Sequence, residues 1–385
     1  MPDPTPARAG ATWVIFAGGG TAGHLLPGLS VAQALVHGGH SADSIHFVGA
    51  VRGPESRLVP EAGFTVDVLP GRGIQRRLSA ANIKAVLDLL RAVLGGVSIV
   101  RSRRPAVVVV LGGYASFACG LGAVLTRVPL VLMEQNKRAG AVNRLLRRFA
   151  AASAVSFEGT DLPRAEVTGN PLRPEIRSRA ENPDPASARE ALGLPADRTV
   201  IGVFAGSLGS RRINEAVAGL VERWADRSDV AIRHVVGARD HATYMAEVAD
   251  RVDLAALATG DDALLYQPIE YEDQMHLLLD ASDLAVTRSG GSVFELMAAG
   301  LPSVLVPLPI ATRDHQMANA LATAAGGGAV VVSDAELSTD RLERELNALL
   351  SDPAHLVEMA DAMRRVALVD AAERVAALVE RVARG

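Results

Sequence analysis

A single cysteine, Cys119, stands in 385 residues. No internal disulfide can form, which fits a reducing compartment and excludes a disulfide-stapled scaffold. A dominant sign of charge is also missing: the formal net charge is −4, so no global pull toward nucleic acid exists and no nucleic-acid partner is expected. Long apolar runs are missing too. "AVVVVLGG" falls short of the roughly 20 residues of a membrane span, and "LGAVLTRVPLVLM" is broken by Arg127 and Pro129. The opening "MPDPTPARAG" lacks the charged start and apolar core of a secretory signal. The expectation is a cytoplasmic chain that does not cross a membrane. No H-x-x-x-H or D-x-D pattern sits in a convincing context, so no metal site is expected and a metal-dependent sugar transferase is disfavoured. What is present is 49% apolar against 21% charged residues, enough core for a soluble protein and too little bias for disorder. The length exceeds that at which one core stops growing, so two domains are expected.

Short β-branched runs alternate with helical stretches. Strand-like runs are Trp13–Ala17, Ser44–Val48, Val107–Leu111, Pro129–Met133, Ala154–Phe157, Val200–Ala205, Ile232–Val236, Ala263–Tyr266, Leu284–Thr287, Ser303–Val306 and Ala329–Val332. Helical patterns lie between them, as at Ile83–Val100, Arg212–Arg223 and Gln316–Ala325. That alternation implies parallel sheets covered on both faces. The order also restarts: "VIFAGGGTAG" (14–23) and "GVFAGSLGS" (202–210) are each a strand, a glycine-bearing loop and a helix. Between them "NPLRPEIRSRAENPDPASAR" (170–189) is polar and proline-punctuated, as a linker would be. The expected architecture is α/β, with two Rossmann-like domains facing a cleft. Its parts are an N-terminal domain over 11–172, a linker over 173–196 and a second domain over 197–352. The C-terminal helices of 353–385 follow, free to pack back on the first.

Four segments carry candidate chemistry. In "FAGGGTAGHLLP" (16–27), glycines allow close approach of a ligand and a helix start near His24 aims N–H groups into the same space. A turn that binds nothing, or a loose dinucleotide loop, would read alike; Asp43 is poorly placed as the acidic partner of the latter. His24 adds a group that takes a proton near neutral pH. "LGGYASFACG" (111–120) and "LMEQN" (132–136) place Glu134, Gln135 and Asn136 at a strand end, where they cap the next segment or hold a sugar acceptor. "AGSLGSRRINEAV" (205–217) offers backbone N–H groups and Ser207 to a phosphate, with Ser210 as N-cap of the helix. In "TRSGGSVFELMAAGLPSVLVPLPIATRDHQMANA" (287–320), Gly290-Gly291 opens a helix. Glu295 either closes an S-x-x-E capping box with Ser292 or binds the hydroxyls of a ribose. Gln316 and Asn319 begin the next helix.

These segments, in this order, resemble the MurG family of bacterial N-acetylglucosamine transferases. Its marks are T-G-G-H followed by proline, G-G-Y, H-E-Q-N, G-N-P-x-R, G-G-S-x-G, S-G-x-x-x-x-E-x-x-x-x-G-x-P and D-x-Q-x-x-N-A. Here they read "GTAGHLLP", "GGY", "MEQN", "GNPLR", "AGSLG", "SGGSVFELMAAGLP" and "DHQMANA". The resemblance runs from Val14 to Val332. It implies a GT-B fold with no metal or other cofactor, and inverting transfer from UDP-N-acetylglucosamine to undecaprenyl-linked lipid I. The product would be lipid II, used in peptidoglycan synthesis. It also implies substrate contacts at Thr21, Ala22, Gly23, Asn136, Arg173, Ser207, Glu295, Gln316 and Asn319, with Ile269 reading uracil; the helix that Gly290 opens offers N–H donors to an anionic ligand on its own account. Ala22, Met133 and Ala205 depart from the family's glycine, histidine and glycine. The alternatives on the same fold are another lipid or natural-product acceptor, or a 2-epimerase-like isomerase.

An inverting transfer needs a base, with His24 expected in that role and Glu134 as runner-up. A lipid acceptor requires a peripheral position on the cytoplasmic side of the cell membrane. Residues 72–148 carry a run of arginines and lysines interleaved with Ile74, Leu78, Ile83, Leu87 and Leu90, which suits an anionic membrane surface and equally a solvated basic face. Other cell-wall synthesis proteins are further expected partners.

Overall fold

A computed structural model of the chain describes residues 11–18, 20–51, 53–70, 80–206, 209–260 and 262–385. The chain divides into two compact units, Met1–Arg173 with Asp370–Gly385, and Pro174–Val369.

In the first unit the elements run β1 (Val14–Gly18), α1 (Ala22–His37), β2 (Ile45–Ala50), α2 (Glu55–Glu61), β3 (Thr65–Leu69), α3 (Ala80–Arg103), β4 (Val107–Gly112), α4 (Tyr114–Thr126), β5 (Leu130–Glu134), α5 (Ala141–Leu146), β6 (Ala152–Val155) and β7 (Ala165–Val167). All strands are parallel, in the order β3-β2-β1-β4-β5-β6-β7. Alternate residues of β1 and β4 serve opposite faces. Val14, Phe16, Val107, Val109 and Leu111 pack with α1, while Ile15, Ala17, Val108 and Val110 pack with α3 and α4. A strand buried on both faces reads as an unbroken apolar run, hence "VVVVL". Helices α3 and α4 touch almost backbone to backbone. A Cβ on Gly96 would fall 2.7 Å from the carbonyl carbon of Ala118, and one on Gly122 would fall 3.0 Å from Val97 Cα.

The second unit holds α6 (Pro174–Glu181), α7 (Pro185–Leu192), β8 (Thr199–Phe204), α8 (Arg211–Arg223), β9 (Val230–Val235), α9 (His241–Ala249), α10 (Leu254–Thr259), β10 (Leu265–Ile269), α11 (Met275–Ala281), β11 (Leu284–Thr287), α12 (Ser292–Ala299), β12 (Ser303–Leu305), α13 (His315–Ala325), β13 (Ala329–Val331), α14 (Thr339–Leu350) and α15 (Pro353–Val366). Its sheet is also parallel, in the order β10-β9-β8-β11-β12-β13. Each sheet therefore starts at an inner strand, grows outward one way and then the other.

Three features differ from expectation. The stretch expected as a linker is α6 and α7, each opening on a proline whose fixed φ suits the first helical turn. Ile176, Ala188 and Leu192 are buried, and both helices pack on α11. Helix α15 stays in the second unit against α12 and α14. The final helix, α16 (Ala371–Arg384), alone joins the first, where it lies on α1. Strands β3 and β7 were not expected. Both are sheet edges with exposed positions, so neither carries the two-faced apolar run that marks an inner strand.

Candidate active site

In an open α/β sheet, ligands bind beyond the strand C-termini where the strand order reverses. That point lies between β1 and β4 in the first unit and between β8 and β11 in the second. Most of the residues singled out from the sequence follow these strands or their inner neighbours.

In the first unit the loop after β1 is shaped by glycine. A Cβ on Gly18 would sit 2.6 Å from Leu111 Cβ, and Gly20 has φ +98°, a left-handed value that glycine accepts without strain. Thr21 is the N-cap of α1, yet its side chain makes no capping bond. The N–H group of Gly23, at the second helical position, thus lacks the usual N-cap side-chain acceptor. His24 lies one residue further on, half-buried. Its ring rests on Gly112, where a Cβ would meet Cε1 and Nδ1 at 3.1 Å. Its Nδ1 is 3.0 Å from Gln135 Oε1.

Glu134, the second base expected from the sequence, is buried, and its carboxylate receives four N–H bonds. Oε1 accepts from the backbone and side-chain nitrogens of Asn136, both at 3.0 Å. Oε2 accepts from Gly140 N–H at 2.8 Å and from Asn143 Nδ2 at 2.9 Å. A carboxylate so occupied holds the turn after β5 and has no site left for an incoming proton. The same carboxylate orients Asn136. Arg173 is half-buried at the last position of this stretch of the unit.

Two further residues escaped the sequence reading. Ser116 bridges the switch point: its Oγ accepts from Gly112 N–H at 2.9 Å and reaches the carbonyls of Ala17 and Gly112. Glu55 is 1% exposed, and its Oε1 accepts from Gly20 N–H at 2.7 Å. Its other oxygen is buried without a hydrogen-bond partner among the described residues.

In the second unit Ser207 lies outside the described residues. Ser210 is the N-cap of α8, as expected, and its hydroxyl also accepts from Arg288 Nη2 at 2.6 Å. Arg288 is buried, donates to the carbonyls of Val306 and Pro307, and pairs with Asp334 at 2.6 Å. One guanidinium therefore ties the start of α8 to the end of β12. The capping box at Ser292 does not form: the N-cap of α12 is Gly291, and Ser292 Oγ donates to the Arg288 carbonyl at 3.1 Å. Glu295 lies half-buried in the first turn of this helix.

Gln316 and Asn319 knit α13 to the turn after β11. Gln316 Oε1 accepts from Leu308 N–H at 3.0 Å, its carbonyl accepts from Ser289 Oγ at 2.8 Å, and its amide lies 3.7 Å from a Cβ built on Gly290. Buried Asn319 donates to the Ser289 carbonyl at 3.1 Å. Arg313 and Asp314, just before α13, are both left-handed at φ +56° and +55°, a conformation that non-glycine residues adopt at a cost. Ile269 closes β10, and its carbonyl accepts from Val236 N–H at 2.9 Å. A cavity of about 280 Å³ among α6, α11, α12 and α15 contains none of these residues. Among the described residues no three His, Cys, Asp or Glu side chains cluster as a metal site, and no helix is long and apolar enough to cross a membrane.

Two parallel α/β units of this topology make a GT-B fold. Residues 14–155 match the glycosyltransferase family 28 N-terminal domain and residues 200–375 its C-terminal domain. The chain is 36% identical over 377 residues to the UDP-N-acetylglucosamine–N-acetylmuramyl-(pentapeptide) pyrophosphoryl-undecaprenol N-acetylglucosamine transferase of Desulforudis audaxviator, covering 96% of this chain and 98% of that one. The crystal structure of Acinetobacter baumannii MurG aligns with TM-score 0.74 and 26% identity over 96% and 99% of the two chains. The UDP-GlcNAc 2-epimerase of Neisseria meningitidis aligns with TM-score 0.64 at 14% identity over 96% and 100%, a likeness of fold alone. The chain belongs to the MurG family.

Proposed function

We propose that the protein transfers N-acetylglucosamine from UDP-N-acetylglucosamine to the muramyl sugar of lipid I, giving lipid II for peptidoglycan synthesis. The observation that carries this reading is similarity along nearly the whole of both chains to relatives bearing that activity in their name. The likeness to a 2-epimerase, by contrast, is one of fold alone. In the step itself an acceptor hydroxyl oxygen bonds to the anomeric carbon as the bond to the β-phosphate oxygen breaks and UDP leaves. The transition state is oxocarbenium-like, as in glycoside hydrolysis, and displacement from the opposite face inverts the configuration.

The second unit holds the donor. N-termini of α8 and α12, with Ser207 and Gly290, offer N–H groups to the diphosphate, where charge grows as UDP departs. Glu295 takes the ribose hydroxyls, Gln316 and Asn319 the sugar, and the backbone at Ile269 the uracil. In the first unit the open turn at Thr21, Ala22 and Gly23 receives the acceptor or diphosphate, with Asn136 and Arg173 as further polar contacts. His24 takes the proton of the acceptor hydroxyl, since a neutral imidazole nitrogen is a competent base at neutral pH. No step calls for a metal.

The reading separates two variants. His24→Ala lowers kcat by about 100-fold or more with little change in KM for the donor, because a base acts mainly on the chemical step. Glu295→Ala raises the donor KM instead. Steady-state kinetics with a lipid I analogue checks both, and unchanged turnover in His24→Ala removes it from the mechanism.

The acceptor's lipid places the protein peripherally on the cytoplasmic face of the cell membrane. Leu90 and Leu94 are exposed four residues apart on α3, and Leu125, Leu145 and Phe149 are exposed near Arg127, Arg147 and Arg148. Basic groups beside anionic lipid contribute about 1 kcal/mol each, and the apolar side chains add burial in the interface. Residues 71–79, which include Arg72, Arg76 and Arg77, lie outside the described residues.

A further inference from the structure

A histidine that acts as base must present an unprotonated nitrogen to its substrate, and which of its two nitrogens is bare depends on what the other one bonds. His24 Nδ1 lies 3.0 Å from Oε1 of Gln135. Gln135 follows β5 directly and is 6% exposed, too buried to swing away with solvent. Its backbone position is held on both sides. Asn143 Nδ2 bonds the Met133 carbonyl at 2.8 Å, and Ser156 N–H bonds the Glu134 carbonyl at 3.0 Å. The four donors on Glu134 lock the turn that follows.

We propose that Gln135 is a positioning residue for the transfer: its side-chain carbonyl accepts from Nδ1–H of His24 and so keeps Nε2 as the bare nitrogen that meets the acceptor hydroxyl. This rests on the reading of His24 as the base. The same carbonyl serves both ends of the step. Before transfer it selects the Nδ1–H tautomer. After the acceptor proton has bonded to Nε2, the imidazolium carries hydrogen on both nitrogens, and Nδ1–H still has its acceptor. The reversed amide would set an NH₂ group against Nδ1, forcing the proton onto Nε2 and opposing the imidazolium that the reaction forms. Gln135 Nε2 is buried with no hydrogen-bond partner among the described residues, so the amide orientation rests on the contact of Oε1 with His24. The pair follows the logic of a base oriented by an amide, with no buried charge to hold. Gly112 adjoins the arrangement: a Cβ there would lie 3.1 Å from the ring, tighter than ordinary contact, and its φ of +113° favours glycine.

The test is nitrogen NMR of histidine-labelled protein, with the His24 signals assigned by difference from His24→Asn, alongside steady-state kinetics with a lipid I analogue. The wild type should show Nδ1 protonated and Nε2 bare at neutral pH. Gln135→Leu should lose that tautomer preference and about 10- to 100-fold in kcat, the range for outer groups that orient a reactive one, at nearly constant donor KM. Gln135→Glu, which retains an acceptor at Nδ1, should restore both the tautomer and most of the turnover, separating positioning from misfolding. A wild-type His24 protonated on Nε2 overturns the proposal, as does a Gln135→Leu protein with unaltered tautomer. An altered tautomer with unaltered kcat overturns His24 as base and leaves the hydrogen bond standing without a part in transfer.

Discussion

His234 shows how a buried side chain is tied through its neighbours to the backbone beside Gly209. It is fully buried on β9, with Nε2 3.1 Å from Asn214 Oδ1 and Nδ1 2.9 Å from the Tyr266 hydroxyl, which in turn meets the Tyr244 hydroxyl at 2.5 Å. Asn214 Nδ2 donates to the Val236 carbonyl at 3.1 Å. Gly209 must clear that same oxygen, since a Cβ there would lie 1.9 Å away. Burial pushes the His234 imidazole down to about 3, so it is neutral in the fold and titrates near its ordinary value only when unfolded. From about pH 6.5 down to about 3 the unfolded chain binds more protons, and stability falls as pH falls, by up to about 1.4 kcal/mol per pH unit. Urea midpoints at about pH 7.5 and 5 should therefore drop more in the wild type than in His234→Gln; equal drops would contradict this. At this scale the sequence shows residue types but not what folds back onto them. His24 and Glu134 both read as bases. Only the tertiary structure reveals that Asn136, Gly140 and Asn143 turn onto the Glu134 carboxylate while Gln135 meets the histidine. Glu55 and Ser116 act across 35 and 99 positions of chain, a separation no local pattern encodes.

Among the elements, α16 is the most informative. Val375, Ala376, Leu378 and Val379 are buried in the same core as Phe16, Leu25 and Leu29. His40 pairs with Glu380 at 3.0 Å, and Arg381 with Glu166 at 2.6 Å. The exposed pair adds little by itself; the apolar stripe holds the helix. Leu378→Ala should cost about 2–5 kcal/mol, as buried leucine truncations do. A loss below about 1 kcal/mol in urea unfolding of the full chain would mean that the first unit does not depend on this helix. The helix itself was legible from its apolar period, because an amphipathic pattern is local. Its destination was not, since an apolar stripe fits any complementary face. The inner strands were legible for the same reason, and the edge strands β3 and β7 were missed for want of it. The prolines at 174 and 185 read as linker punctuation, yet they start helices.

The molecule as a whole is one architectural idea used twice, and the restart at "GVFAGSLGS" was the sequence's clearest sign of it. Two sheets of the same branching order each carry glycine turns at their switch points. A lipid acceptor then demands a surface. Binding to vesicles containing anionic phospholipid should be strong at low salt and weaken as salt screens the basic groups; equal binding to neutral vesicles, or none at low salt, would contradict the docking role. Transferase activity is measured by incubating the protein with UDP-N-acetylglucosamine and a lipid I analogue, following UDP release, and determining the product's mass and anomeric configuration. Acceptor-dependent release of UDP and a product heavier by one N-acetylhexosamine in β linkage are expected. UDP-N-acetylglucosamine consumed or epimerised without acceptor, or an α-linked product, would contradict the proposed transfer.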